Sequence, residues 1–474
     1  MDYKEEKNDL RVRLANSYME SEDFSMEDNP THFDELYMSP RIVEHHILNR
    51  GNTNVHENID EEINSVKSYK AIFYKGDSLA STVYLVGSSG TGKTIFSRKC
   101  VLEWSYHHLK IHDDVQSTPK MNDLFTDRDF FGGIDFLFHI RLRDGNNVCS
   151  LTDMIKDQLI SRIYDKEDIE KEYKLILKVL DENACLIVAE NLHEWAHTPE
   201  ASCACTHLEK ADTPSFTYAK KACIMLTTRH WRFHSIRSAE LRANTYFEIE
   251  GILDRKGFVK KAILAKNGHE TYVDTFFTHF ADRKFAKMLS VPFFSMQLVD
   301  LYLELDTPKT ALCDICSSIV KMRLKKIPTY HQKAPQTDPV HKRRKLSVKH
   351  DEVVEALSEL AIRTIVSRES SLNREFSQDL VDEMLTVSEK TIALKSGILQ
   401  QQHLNAKQSV MKVSFCHKSI QDFLAAKFLV NHDDAFETLI KSCKEQNNYL
   451  TCIRIKQVLI FTFGLKPRLG EESG

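Results

Sequence analysis

Two short stretches of this chain hold residue types that could do chemistry. The first, GSSGTGKT, interleaves Gly87, Gly90 and Gly92 with Ser88, Ser89 and Thr91, and closes on Lys93 and Thr94. Glycines allow backbone dihedrals and close approaches that a Cβ forbids. The main-chain N–H groups of such a loop can therefore converge on an anion, at the positive end of the following helix. The spacing matches G-x-x-x-x-G-K-[ST], in which the lysine reaches the β- and γ-phosphates and the last hydroxyl ligates Mg²⁺. The apolar run TVYLV precedes it and a helical pattern, IFSRKCVLEWSYHH, follows. A glycine-rich turn that matches by chance would not need strand, loop and helix in that order.

The second stretch is CLIVAENLHEWAHTP, from Cys185 to Pro199. It contains HEWAH, which fits the H-E-x-x-H pattern of zinc metalloproteases: His193 and His197 on one helical face, with Glu194 as base. Pro199 opposes that helix by driving Thr198 out of helical geometry. CLIVA opposes it from the other side, because it reads as a buried strand. The nearby CACTH, Cys203 to His207, spaces its cysteines more tightly than zinc sites do. The competing reading is a strand that ends in an acid about a hundred residues past the phosphate lysine, where it completes a Mg²⁺ shell. Glu190, directly after CLIVA, fits that place, and this is the reading adopted.

The elements that must position these residues are an alternation of strands and helices. Between Thr82 and Ile249 the runs TVYLV, IDFLFHI, CLIVA and CIMLTT alternate with helix-like segments such as LTDMIKDQLISRIYD. That pattern predicts an α/β P-loop domain with a parallel sheet covered by helices on both faces. After Gly251 the strand signal disappears and helical patterning dominates. The expected organisation is an irregular or helical segment over 1–70, the nucleotide-binding domain over 71–250 and a helical domain over 251–322. A Lys- and Pro-containing linker over 323–350, a domain over 351–432 and the start of a second helical domain over 433–474 follow. The chain has 474 residues, a formal net charge of −4, 42% hydrophobic and 28% charged residues, with a pI near 6.6. That balance argues against nucleic acid as a partner through a basic surface. No leader-like or membrane-spanning apolar run is present, and 11 scattered cysteines suit free thiols in a reducing compartment. The expected location is the cytoplasm, without membrane attachment.

With these motifs in order, the chain resembles the NACHT NTPases of the STAND class, which include the NOD-like receptors. LIVAENLHEW follows that family's four apolar residues and D-G-h-D-E frame, with Glu190 at the metal acid, Asn191 for Gly and His193 for the second acid. LTTRHWRF is similar to the strand whose arginine, here Arg229, reaches the γ-phosphate. MLSVPFFSMQLV resembles the helices whose proline, here Pro292, packs on adenine. VSFCHKSIQDFLAAKFL is similar to the winged-helix signature whose histidine, here His417, contacts the β-phosphate of ADP. QVLIFTFGL resembles the opening of the second helical domain. The resemblance spans about residues 75 to 465. It implies ATP/ADP and Mg²⁺ as ligands, the latter held by Thr94 and by Glu190 through water, and a nucleotide-controlled switch that opens and self-associates. Its implied setting is innate immune or cell-death signalling. The effector domain and repeat array that such proteins usually carry are not recognisable here.

Plainer readings stand beside these. Ile420, Phe423, Leu424 and Phe428 fit one helical core face. His417 alone would be a satisfied core histidine, Pro292 a helix break and Arg229 a surface ion pair, while HKRRK (341–345) reads as a solvated linker. Under a plain h-h-h-h-D-E frame, Ala189 would stand at the metal position with Glu190 as base. On either frame the acidic site is eroded while the phosphate loop is intact, so Glu190 and Glu194 are the candidate catalytic acids of a slow hydrolase. The alternatives are an ATPase whose turnover drives work and a nucleotide-free scaffold.

Overall fold

The computed structural model describes residues 2–20, 36–46, 65–88, 90–111, 124–145, 148–195, 212–216, 221–236, 245–267, 269–281, 283–304, 311–325, 327, 350–366, 375–405, 408–445 and 449–466. His197, Pro199, CACTH and HKRRK lie outside them. The chain divides into two compact units, Met1–Val299 and Asp300–Gly474.

In the first unit, helix α1 (Tyr3–Glu20) is followed by strands β1 (Pro40–His46) and β2 (Ser65–Val66). Strand β3 (Thr82–Val86) leads into α2 (Lys93–Leu109), and β4 (Phe136–Arg141) follows. A helical stretch, Leu151–Ile163, is widened into a π-turn at Lys156–Ile160 and is called α3. Then come α4 (Ile169–Glu182), β5 (Cys185–Glu190), β6 (Ala222–Thr228), α5 (His230–Ser235) and β7 (Thr245–Ile252). Helices α6 (Arg255–Asn267), α7 (Tyr272–His279), α8 (Arg283–Leu289) and α9 (Pro292–Glu304) continue the chain.

The sheet runs β2-β1-β7-β3-β6-β5-β4. Strands β7, β3, β6, β5 and β4 are parallel, and β1 and β2 add antiparallel at one edge. Strands β3, β5 and β6 are buried along their whole length. That is why they are continuous apolar runs rather than alternating ones. Sequence patterning gives no strand before Thr82, yet β1 pairs with β7 from Pro40↔Ile252 to His46↔Thr245. PRIVEHH is too polar to announce itself, because its place near the sheet edge, flanked outside only by the two-residue β2, leaves part of it half-buried. Helix α2 packs against α1 and against β4 and β5, which accounts for buried side chains all round it, including Phe96, Cys100, Val101 and Trp104.

Strand β4 is the other edge, and side chains bond several of its outer backbone groups and those of the two residues before it. Trp104 Nε1 donates to the Ile134 carbonyl at 3.0 Å, and Arg11 Nε donates to that of Asp135 at 2.9 Å. The Tyr18 hydroxyl donates to the Leu137 carbonyl at 3.0 Å and accepts the His139 N–H at 3.1 Å. Gln158, in the π-turn, accepts the Arg141 N–H at 2.8 Å and donates to the Arg141 carbonyl at 2.9 Å. Side chains bonded at Leu137, His139 and Arg141 interrupt the row of backbone groups this edge would otherwise offer another chain.

The second unit contains α10 (Leu312–Lys325), α11 (His350–Val366), β8 (Glu375–Ser377), α12 (Gln378–Met384) and α13 (Val387–Lys395). A hairpin follows, β9 (Leu399–Asn405) and β10 (Gln408–Phe415), then α14 (Lys418–Asn431), α15 (Asp433–Glu445) and α16 (Tyr449–Leu465). The small sheet is antiparallel, in the order β8-β10-β9. These strands carry no strand pattern in the sequence, where helical patterning dominates after Gly251, and they fall within the 351–432 stretch whose resemblance is to a winged helix. LQQQHLN lacks the apolar alternation that marks a strand in sequence. Helix α14 packs between α11 and α16, with Ile420, Phe423 and Leu424 buried. Among the described residues, no helix is long and apolar enough to cross a membrane.

Candidate phosphate-binding site

The loop between β3 and α2 has the backbone that its glycines allow. Gly90 and Gly92 have φ of 79° and 108°, and Gly92 caps α2 in the left-handed region that a side chain rarely adopts. At Gly87 the constraint is space: a Cβ there would lie 2.7 Å from both the Ile249 side chain and the Ile249 carbonyl oxygen. Gly87 N donates to the Thr228 carbonyl at 3.2 Å, which ties the loop to the end of β6. The Thr91 hydroxyl donates to the Ser88 carbonyl at 3.0 Å. Lys93 opens α2, is 8% exposed, and donates from Nζ to the carbonyls of Gly87 (2.7 Å) and Ser88 (2.6 Å). Thr94 follows in the first turn of α2, half-buried, and Ser89 lies outside the described residues. The result is a glycine cradle with a lysine bent across it, at the positive end of a 17-residue helix.

The neighbouring parallel strands end at the same rim, where ligands of open α/β sheets bind. Strand β6 ends at Thr228, and Arg229 then caps α5, its carbonyl accepting from Arg232 N and Phe233 N. Strand β5 ends at Glu190. Asn191 then turns in the left-handed region at φ 66° and donates its N–H to the Thr227 hydroxyl at 2.9 Å. Asparagine is among the few residues other than glycine that visit this region readily, so Asn191 can stand where the resembled motif has Gly. Leu192–Glu194 forms one 3₁₀ turn, so the described part of HEWAH is a strand-end turn rather than an α-helix.

His193 Nε2 lies 3.3 Å from Glu194 Oε1, and both side chains are buried. Burial, aided by the charges of Arg229 and Lys93, pushes the His193 imidazole down to about 4 against the pull of Glu194. This histidine is therefore neutral at physiological pH, and His193, Glu194, Arg229 and Lys93 share one electrostatic neighbourhood.

Glu190, 2% exposed, turns toward β4. Its Oε1 is 3.5 Å from His139 Nε2, and Arg141 is its register partner in the parallel ladder. Burial alone would raise this carboxyl. The His139 contact, with the charges of Arg98 on α2 and Arg141, outweighs burial and holds it below the usual carboxylate range. Sequence reasoning missed His139 and Arg98. The signal for His139 was available: two residues before Arg141 in a strand is the same face.

Pro292 opens α9, and the turn before it is tied to the sheet, because Ile252 N donates to the Ser290 carbonyl at 2.7 Å. His417 belongs to the second unit, where it is buried and caps α14, its Nδ1 accepting the Ser419 N–H at 3.1 Å. Among the described residues, no group of three or more His, Cys, Asp or Glu could hold a metal ion. Thr94 and Glu190 offer the hard oxygen donors that suit Mg²⁺.

The sheet, the loop and the helix that follows it define an α/β P-loop fold of the NTPase kind, followed by a largely helical region. No family model matches the sequence, and no curated protein matches it. Solved structures similar to it include a chain of the Drosophila ORC bound to DNA, at 10% identity, with 71% of this chain and 78% of that one covered and a TM-score of 0.26. The Aeropyrum pernix ORC1 protein in complex with DNA gives 10% identity, 75% and 89% coverage, and a TM-score of 0.24. The Aeropyrum pernix ORC2 protein in ADPNP–ADP complexes gives 9%, 74%, 90% and 0.24. Likenesses this low assign no function. They do correct one expectation, the exclusion of nucleic acid as a partner, since two of these similar structures hold DNA. That exclusion rested on net charge, a sum over the whole surface that hides local patches.

Proposed function

We propose that this chain is a nucleotide-dependent switch that binds ATP or ADP at the P-loop and turns it over slowly. The observation that carries the reading is the glycine cradle of residues 87–92, with Lys93 lying across it at the first residue of α2. Gly87, Ser88, Ser89, Gly90, Thr91 and Gly92 would wrap the phosphates, Lys93 would neutralise them, and Arg229 would meet the γ-phosphate. Thr94 and, through water, Glu190 would hold Mg²⁺, which would offset charge developing on the phosphates. Slow turnover follows from the acids: Glu190 is engaged by His139, and the next acidic position of the resembled motif is the neutral His193. The second unit adds helix, strand, two helices and a hairpin in order, which supports a winged helix carrying His417 as the ADP clamp. Pro292 is proposed for the adenine face. Exchange of ADP for ATP would shift the population toward an opened, self-associating form, by the difference in affinity between the two forms and no more. On the resemblance, the output is immune or cell-death signalling.

Lys93→Ala is the test. Retention of labelled ATP or ADP by the purified chain should fall at least about a hundredfold, as expected when a charged phosphate partner is removed. Unchanged retention would remove the P-loop assignment. Steady-state phosphate release distinguishes the switch from a working ATPase, since turnover near about 1 s⁻¹ belongs to the latter.

A further inference from the structure

Helix α1 reaches the candidate acid through two contacts. Tyr18, 4% exposed, packs edge-on to Trp104, with ring centroids 6.2 Å apart. Its hydroxyl spans the β4 edge, donating to the Leu137 carbonyl and accepting the His139 N–H. The hydroxyl thereby does for residues 137–139 what a neighbouring strand would do, and it fixes the backbone from which the His139 side chain projects. That side chain, 10% exposed, approaches Glu190 Oε1 to 3.5 Å. A carboxylate that is 2% exposed and drawn toward His139 on β4 is held back from taking the proton of an attacking water.

We propose that Tyr18 is a positioning residue: docking of α1 on the β4 edge holds His139 against Glu190 and keeps that acid out of catalysis. Whatever displaces α1 is then read at the nucleotide site as a released acid. The inference deepens the nucleotide reading and rests on it. In the reaction concerned, water attacks the γ-phosphorus, and the new P–O bond forms as the bond to the β–γ bridging oxygen breaks. ADP leaves with that electron pair, and the proton of the attacking water passes to Glu190.

The test uses the full chain, with steady-state phosphate release from ATP measured beside retention of labelled ADP. Tyr18→Phe keeps the ring and removes only the hydroxyl. It is expected to raise phosphate release at least about threefold with ADP retention unchanged, a gain in the chemical step alone. Adding Glu190→Gln to that variant should abolish the gain, leaving release at or below the wild-type rate. Arg11→Gln removes an α1 bond to the same edge, at Asp135, without touching residues 137–139, and should leave release unchanged. A general loosening of the fold would instead lower retention and act in both variants alike. His139→Asn approaches the pair from the other side and should give the same gain, also where Tyr18→Phe folds poorly. Retained ADP with no gain in Tyr18→Phe or His139→Asn overturns the coupling alone, as does a gain that survives Glu190→Gln or appears equally in Arg11→Gln. A wild-type chain that retains no nucleotide overturns the function reading and the coupling together.

Discussion

His193 shows how one substitution sets the chemistry of a rim. The resembled motif has an acid at this position, where it would add negative charge beside the phosphates. Here an imidazole is buried against Glu194 in the field of Arg229 and Lys93, and its pKa falls from 6.5 to about 4. Because the folded value is depressed, the unfolded chain takes up a proton at higher pH than the folded one. This contribution to stability is complete above pH 6.5 and is lost as pH falls toward 4, by on the order of 3 kcal/mol. Denaturant unfolding at pH 7 and pH 4 measures it, and His193→Gln should flatten that part of the slope. An identical slope in the variant would show that His193 is not the group responsible.

At the scale of elements, edge strand β4 depends on side chains for its outer hydrogen bonds. The π-turn of α3 brings Gln158 to both backbone groups of Arg141, the register partner of Glu190. π-turns of this kind recur at functional sites. Gln158→Ala leaves the Arg141 N–H and carbonyl without this partner and should destabilise the chain by about 1–3 kcal/mol. Thermal unfolding checks this, and a change within about 0.5 kcal/mol, the range of an ordinary surface substitution, would count against it. The phosphate loop belongs to the same scale: Gly87 is fixed by Ile249 of β7, a neighbour distant in sequence, rather than by the loop itself.

For the whole molecule, two compact units imply unfolding that need not be two-state. ADP at a hundred times its Kd stabilises any structure that binds it by about 2.7 kcal/mol. A P-loop that holds ADP alone raises only the transition of the first unit in scanning calorimetry. The clamp proposed for His417 instead raises both, and His417→Ala should cancel the rise in the second unit while sparing the first. A rise confined to the first unit in the wild-type chain would end the clamp proposal.

Sequence alone determined the phosphate loop, because its function needs consecutive residues whose spacing is set by one turn of backbone. It also determined the buried strands β3, β5 and β6, because a strand covered on both faces must be apolar throughout. It could not determine that PRIVEHH pairs with β7, or that polar segments near residue 400 form a hairpin. Edge and half-buried strands are stabilised by partners remote in the chain and carry little pattern of their own. The surroundings of Glu190 were decided by tertiary structure for the same reason. Arg98 comes from a helix, His139 and Arg141 from a neighbouring strand, and Tyr18 from the N-terminal helix. Only the parallel register of β4 and β5, with α1 laid along the edge, brings them to one carboxylate.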